Sequence, residues 1–518
     1  MFSAIKLQNE LNTESSSNMI KWDVIYGNNL ELIRERKSAL SQLVENFIEI
    51  FSEDRIVYIS RAPGRVNLMG RHIDHQGGFI NTVAINKEIL LAFSPRNDNK
   101  IQIHNLESVQ FPSHQLSPIS ILDVSSYSDW KSFTTSVQVK EFNKLNSGDW
   151  SLYILAIYYR LQIHFNEIGF KGLDCVVSGN IPVGSGLSSS SALGVAFAKA
   201  LLHVNKISLT DKHLIELTGE SELFVGFHGG KGDQAAIISA KNGMVNKIGF
   251  FPFHIDKTTH FPEELKLVIA FSGSSSKKGE GAQSTYNQRV ASYAIGLKML
   301  QHGWKLTKSV SHIRDLTPER LHVSSAELLT VISNLPIGPT RKELMDYLNE
   351  FDDGFLKKLF LTHDDPGQYD LIGTLLFGIS ECSRSEFFNE ILESYDLEKI
   401  GKCIAVSHNG DRLNKSKINL TNFIEYNVPM VDIPGNYDCS TENIDQMVDI
   451  ANAIPGVIGA QLAGAGMGGN IVVLVKENSA EDVLTELNQK YYTRNNIPFD
   501  AHICVPISGA SIVGETIG

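Results

Sequence analysis

Residues Ile181 to Leu202 read IPVGSGLSSSSALGVAFAKALL, a glycine- and serine-rich loop that runs directly into an apolar, helix-forming segment. Gly184 and Gly186 can take backbone angles closed to other residues, so successive N–H groups can converge on one anion. Ser188, Ser189, Ser190 and Ser191 add hydroxyls. The unpaired amides and positive dipole end of the following helix face the same way, which makes the segment a phosphate site. A flexible linker has similar composition, but this loop is short and lies between the strand-like LDCVVSG and a strongly patterned helix. No GK[ST] closes it and it lacks GxGxxG spacing, so it is neither a Walker A loop nor a dinucleotide fingerprint.

The chain around this loop has 518 residues, too many for one core, and predicts two domains with insertions. Its net charge of -12 argues against nucleic acid or an anionic membrane as a general partner, while leaving room for a local basic pocket. Five scattered cysteines (Cys175, Cys382, Cys403, Cys439 and Cys504) without CxxC spacing fit a reducing compartment. The first residues hold no sustained apolar core of a secretory signal, and no stretch approaches the ~20 apolar residues that cross a bilayer. A cytoplasmic protein is expected.

Apolar spacing predicts one amphipathic helix from about Ile25 to Phe51, carrying Leu32, Leu40, Leu43 and Phe47. Ile56 to Ser60 reads as a strand, FINTVAI as another, and residues 96–150 as polar and irregular with strand-like pieces. Helical patterns resume at Tyr153 to Phe165 and around Leu214 to Val225. LKLVIAFSG, from Leu265 to Gly273, reads as the strand that opens a second domain. Leu297 to Glu398 reads as helical segments between polar turns, and NIVVLVK and HICVPI as late strands. The mixture predicts an α+β protein.

Two further segments identify the loop. Arg61 to Gly78 reads RAPGRVNLMGRHIDHQGG and Gly459 to Gly469 reads GAQLAGAGMGG. With the serine loop between them, they resemble the three motifs of the GHMP small-molecule kinases, in order, and within that family the galactokinase branch. The resemblance implies a two-domain GHMP kinase fold with the active site in the cleft between domains. It divides the chain into an N-terminal kinase domain with a helical extension, 1–255, and a C-terminal kinase domain with a helical insertion, 256–518. ATP and Mg2+ are the implied cofactors and a small sugar the implied partner, with no nucleic acid and no membrane. Oligomeric state is left open.

The family's motifs carry over residue by residue. Gly184, Gly186, Ser188, Ser189 and Ser190 form the implied nucleotide set, with Gly464 and Gly466 of the late loop closing on the phosphates. Ser189 or Ser190 is the implied Mg2+ contact, since a hard cation prefers oxygen ligands. For each serine, capping of the helix is the structural alternative. Galactokinases place a metal-binding glutamate shortly after these serines. Here that position is Gly194; Glu220 or Glu222 could approach from the next helix, but spacing does not select between them, exposed surface glutamates are the commoner case, and no protein carboxylate is assigned to the metal. Asp233 in GGKGDQ matches the catalytic aspartate and Arg65 in GRVNLMG the catalytic arginine, one to accept or position the sugar hydroxyl proton and the other to stabilise transferring charge. Lys231 lies close enough in sequence to add positive charge. Tyr286-Asn287 in STYNQR is a further resemblance, without an assigned role.

Sugar recognition in the branch relies on a motif like GEHTDY, matched here by GRHIDH. The implied sugar contacts are therefore Arg71, His72 and Asp74. Arg71 replaces a glutamate that faces the C6 end of the sugar, and arginine suits a carboxylate through its two-pronged donor geometry. HIDHQGG and LSSSSALGVA also look more like plant-type galacturonokinases. The expected function is an ATP-dependent sugar 1-kinase acting on the anomeric hydroxyl of a galactose-configured sugar, first of all galacturonic acid. The alternatives are a galactokinase acting on galactose and a catalytically inactive sugar-binding regulator. A salt bridge to a neighbouring acid is the alternative role for Arg71. His72 and His75 are not read as a zinc pair, because no further ligands follow at suitable spacing.

Overall fold

Around residues 90–93 successive side chains belong alternately to two different cores. The computed structural model describes residues 2–13, 20–166, 168–227, 229–274, 280–348, 354–413 and 419–514. Strand Ile56–Met69 pairs antiparallel with Ile80–Pro95, with Tyr58 opposite Phe93 and Met69 opposite Asn81. Leu91 and Phe93 enter the main core, whereas Val57, Ile59, Leu90 and Ala92 face the N-terminal helices. Burial on both faces explains why EILLAF reads as a continuous apolar run instead of an alternating one.

Among the described residues this first sheet has nine strands. Its main path runs Phe2–Ser3, Ile56–Met69, Ile80–Pro95, Leu173–Gly179, Ile101–Asn105 and His114–Leu116. Leu173–Gly179 and Ile101–Asn105 pair in parallel. Met244–Gly249 joins Ile80–Pro95 and carries His254–His260, while Ser511–Ile512 returns from the far end of the chain to pair with Ile56–Met69. The helices Ser151–His164 and Ser189–Val204 cover one face. The second sheet is antiparallel, in the order Val457–Leu462, Asn470–Lys476, Leu265–Phe271 and Ala501–Cys504, and packs with helix Leu371–Glu393 in a core of its own. The chain leaves the first sheet after His260, so the expected division at 255/256 cuts inside a strand of that sheet.

The single N-terminal helix expected from Ile25 to Phe51 is two, Trp22–Tyr26 and Leu30–Ile50, broken at Gly27 with φ 67°. Asn29 restarts it by accepting from the Leu32 amide, a side-chain cap that a hydrophobic pattern does not reveal. The strand expected to stop at Ser60 continues through the RAPGRVNLMG motif to Met69. A register shift at Pro63/Gly64 absorbs the proline that reads as a strand breaker. The region from Leu297 to Glu398 is a series of helices separated by turns and loops, with residues 349–353 outside the described set.

Candidate active site

Asp233 stands in the first turn of helix Gly232–Ser239, where a carboxylate meets the positive end of the helix dipole. Arg65, projecting from the strand Ile56–Met69, reaches it there. Its Nη2 and Nε donate to Asp233 Oδ1 at 2.5 and 2.8 Å, and its Nη1 donates to the Gly186 carbonyl at 2.7 Å. One arginine thus ties this aspartate to the glycine-serine loop.

Ser188 holds the other carboxylate oxygen. It precedes helix Ser189–Val204 with a left-handed backbone, φ 64°, and its side chain makes no cap. Its Oγ instead donates to Asp233 Oδ2. A non-glycine residue in this region is strained, and such strain persists only where the surroundings enforce it. Helix capping, the structural alternative for this serine, is therefore not its role.

The loops carrying Gly186 and Gly464 close on each other because both residues lack side chains. With φ of 79° and 70°, a Cβ on Gly186 would lie 2.4 Å from the Ala463 carbonyl oxygen, and one on Gly464 2.6 Å from that of Gly186. Gly184, Gly186, Ser188, Ser189, Ser190, Gly464 and Gly466 line one cavity with Arg65 and Asp233. A second cavity shares Arg65, Asp233, Glu222 and Tyr286 with the first and extends to Arg71, His72 and Asp74.

Asp74 is held by the Gly232 amide, which donates to Oδ2 at 3.0 Å, and by His75 Nδ1, 3.3 Å from Oδ1. Burial alone pushes its pKa up, but these contacts outweigh it and hold the carboxyl below its ordinary value. Gly230 leaves the room, since a Cβ there would come within 1.8 Å of Asp74 Oδ2. Tyr286 is buried and stacks on Phe227 at 5.2 Å between ring centroids. Burial, then the charges of Asp74, Asp233 and Glu222, push its phenol well above the usual range. The sequence names Tyr286 without a role, and the fold puts it at the junction of the two cavities.

Arg71 departs from its expected place. Its guanidinium does not stand open to a sugar carboxylate but closes on the protein. Nη2 lies 2.5 Å from Asp411 Oδ2 and 2.9 Å from Ser407 Oγ, Nε lies 3.2 Å from Asp411 Oδ2, and Nη1 donates to Gln461 Oε1. Glu381 accepts from the Gly70 and Arg71 amides and pairs with Arg384 at 2.9 Å, all of it buried. The salt-bridge alternative is the arrangement found. Its acid comes from helix Leu397–Asp411, so no local spacing announces it.

His72 lines the sugar-side cavity, but its ring stacks on Tyr437 at 4.2 Å and lies 3.4 Å from Cys439 Sγ and 3.5 Å from Asp411 Oδ1. His72, Asp411 and Cys439 bring three donor atoms within 4.8 Å of one another, a trio drawn from distant segments. Cys439 Sγ already donates to Asp411 Oδ1, and Arg71 supplies a cation to the other oxygen. Burial and the Asp411 charge push the Cys439 thiol well up. These contacts form a hydrogen-bonded cluster.

Of the two glutamates left open by spacing, Glu220 turns to Arg160 at 2.8 Å and Lys231 at 3.0 Å, which also engages the lysine considered as a source of positive charge. Glu222 turns to the site, accepting from Ser191 Oγ at 2.7 Å and Gln234 Nε2 at 2.8 Å.

Residues 45–95 match the galactokinase galactose-binding signature, 153–241 the GHMP kinases N terminal domain, and 430–493 the GHMP kinases C terminal domain. The three matches fall in chain order on the strands, loops and helices that build this cleft. The chain belongs to the GHMP kinases. This GHMP kinase is 26% identical to a galactokinase of Dictyostelium discoideum, over 96% of its own length and 97% of the relative's. It is 25% identical to a galactokinase of Chloroflexus aurantiacus, over 88% and 93%. Its fold superposes on the crystal structure of Lactococcus lactis galactokinase complexed with galactose with a TM-score of 0.68, covering 91% of this chain and 99% of that one, at 20% identity. It is an ATP-dependent carbohydrate kinase of the galactokinase type.

No described helix is long and apolar enough to cross a membrane.

Proposed function

We propose that this kinase phosphorylates the anomeric hydroxyl of galactose or a closely related neutral hexose, using ATP. The observation that carries the reading is the convergence of Arg65, Ser188 and Gly186 on Asp233, at the point where the nucleotide and sugar cavities meet. In this reading Asp74 accepts from sugar hydroxyls and the glycine loops bind the nucleotide phosphates through their amides.

Asp233 then receives the proton of the anomeric hydroxyl as the oxygen–phosphorus bond forms and the bond from the γ-phosphorus to ADP breaks. Arg65 holds Asp233 in orientation and offsets charge on the transferring group, and Ser188 fixes the second oxygen. The all-oxygen set of the serine loop fits Mg2+, with Ser189 and Ser190 as the residues that would hold it, and the buried Gln234 Oε1, which has no hydrogen-bond partner among the described residues, suits a hydrated cation nearby. The bound metal would neutralise phosphate charge. Retention of Arg65, Ser188 and Asp233 together favours catalysis over a purely regulatory sugar-binding role. The five cysteines, all free, support a cytoplasmic location.

The preference for a neutral C6 rests on the Arg71 cluster. Two arginines, Arg71 and Arg384, face two carboxylates, Asp411 and Glu381, so the cluster offers no surplus positive charge to a uronate. An ADP-release assay over galactose, galacturonate and glucose tests this directly. Galactose is expected to give the highest kcat/KM, and a preference for galacturonate would overturn the neutral-sugar reading while keeping the kinase.

A further inference from the structure

Among the described residues, none from 297 to 398 lines the nucleotide or the sugar cavity, yet one of them, Arg314, reaches the turn that carries Asp74. Ile313 and Leu316 are fully buried in the second core beside helix Leu371–Glu393, and they anchor the short 3-10 helix Ile313–Leu316. Arg314, between these anchors, crosses to the first sheet. Its Nη1 donates to the Gly77 carbonyl at 3.1 Å and to the Phe250 carbonyl, and its Nη2 donates to the Phe251 carbonyl at 2.8 Å. His312 stacks on the Phe251 ring at 4.7 Å between centroids, so the contact involves more than one side chain.

Gly77 admits this close approach. Its φ is 78°, and a Cβ there would lie 3.0 Å from Arg314 Cδ. The same residue closes the turn on Asp74, because its amide donates to the Asp74 carbonyl at 3.1 Å, while the Gly78 amide donates to that of Ile73 at 2.9 Å. Behind the turn, a Cβ on Gly78 would lie 2.8 Å from Cys382 Sγ, on helix Leu371–Glu393. Two elements of the second core therefore bracket the segment that holds the Asp74 carboxylate. Phe250 and Phe251 follow strand Met244–Gly249, whose Ile248 pairs with Ile80, so the guanidinium also ties the turn to the neighbouring strand end. The planar fork of arginine spans three carbonyls from two segments, and its charge strengthens each bond.

We infer that Arg314 is a positioning residue for the sugar: it holds the turn from Asp74 to Gly78 in place, and through it the helical region between residues 297 and 398 sets sugar affinity. The inference deepens the proposed kinase reading and rests on it. The Arg314 side chain is 21% exposed, so water can reach the three carbonyls when it is removed, and the fold is expected to survive the loss.

The test measures galactose and a non-hydrolysable ATP analogue separately by calorimetry on the whole protein, together with steady-state kinetics. Arg314→Ala is expected to raise the galactose Kd and KM about tenfold or more, the scale of losing charge-assisted hydrogen bonds that orient a binding group. Analogue affinity is expected to stay within about twofold and kcat within about threefold, the split that marks a loss of sugar binding alone. Arg320→Ala is the control on the same segment. Its ion pairs are with Asp315 and Glu386, and its galactose KM is expected to match wild type. Should Arg314→Ala fail to fold, Arg314→Lys, which keeps the charge but loses the fork, is expected to show the same split at about three- to tenfold. Unchanged galactose affinity in the folded variant overturns the inference. An equal loss of analogue affinity, or an equal rise in KM with Arg320→Ala, also overturns it by making Arg314 a general brace. Wild-type protein that forms no sugar phosphate from ATP and galactose contradicts the kinase reading itself, and the inference falls with it.

Discussion

Arg65 Nη2 lies 2.5 Å from Asp233 Oδ1, and the same guanidinium holds the Gly186 carbonyl at 2.7 Å. The aspartate, the arginine and the phosphate loop therefore form one mechanical unit, although 168 residues separate the first two. Asp233→Asn keeps the size of the side chain but cannot take a proton. It is expected to lower kcat by roughly 10²- to 10⁴-fold, with nucleotide affinity, measured by calorimetry, nearly unchanged. Turnover close to wild type would remove Asp233 from the chemistry.

Ser188 allows its positioning role to be separated from its effect on stability. Ser188→Gly removes the Oγ donor to Asp233 and also relieves a left-handed backbone that costs an L-residue about 1–2 kcal/mol. The variant is expected to melt at or above the wild-type temperature while losing activity. A variant that is both less stable and fully active would contradict this division.

Gly186→Val tests the contact between loops. The new Cβ meets the Ala463 carbonyl oxygen at 2.4 Å on a backbone at φ 79°, so the loops must part. ATP affinity should fall, with a stability loss of about 1–3 kcal/mol measured by denaturant titration. Unaltered ATP affinity in the folded variant would move the phosphate site elsewhere.

How far the site can be read from the chain depends on how local its determinants are. Arg65, Asp74, Asp233 and the loop glycines sit inside contiguous motifs, where residue order carries the signal, and the fold brings all of them to the two adjoining cavities. Arg71 misleads for the opposite reason. Its motif position suggests a sugar contact, while Asp411, Ser407 and Gln461, which occupy its guanidinium, lie more than 330 residues away. Spacing likewise leaves Glu222 level with Glu220, and only the fold shows Glu222 bonded to Ser191 and Gln234 and Glu220 paired with Arg160 and Lys231. In the fold, the Gly27 break and the strand passing through Pro63 depend on caps and bulges that hydrophobic periodicity does not encode.

Arg71→Ala leaves Asp411 buried without its cation, and breaking such a pair typically costs about 3–5 kcal/mol. Activity on galactose and galacturonate is expected to fall together, and Arg71→Ala with Asp411→Asn to recover part of the stability. Selective loss of activity on galacturonate alone would restore the carboxylate clamp.

The same pair sets a pH dependence. Burial alone raises the Asp411 carboxyl, but the Arg71 charge and hydrogen bonds from His72 and Arg71 hold it well below its ordinary 3.8. A depressed folded-state value means that the stabilisation is present above the ordinary value and is lost as pH falls through the lowered one. Acid unfolding followed by circular dichroism should therefore be less steep below about pH 4 in Asp411→Asn than in wild type. Identical profiles would show that the carboxylate carries no such linkage.

The proposed reaction is phosphoryl transfer to an anomeric oxygen at the Arg65–Asp233 site. Proton-coupled 31P NMR of the product formed from ATP and galactose tests it most directly. A new phosphorus signal coupled to the sugar H1, formed by wild type and nearly absent with Asp233→Asn, is the predicted result. Phosphate found on C6, or the same C1 product formed at an undiminished rate by Asp233→Asn, would contradict it.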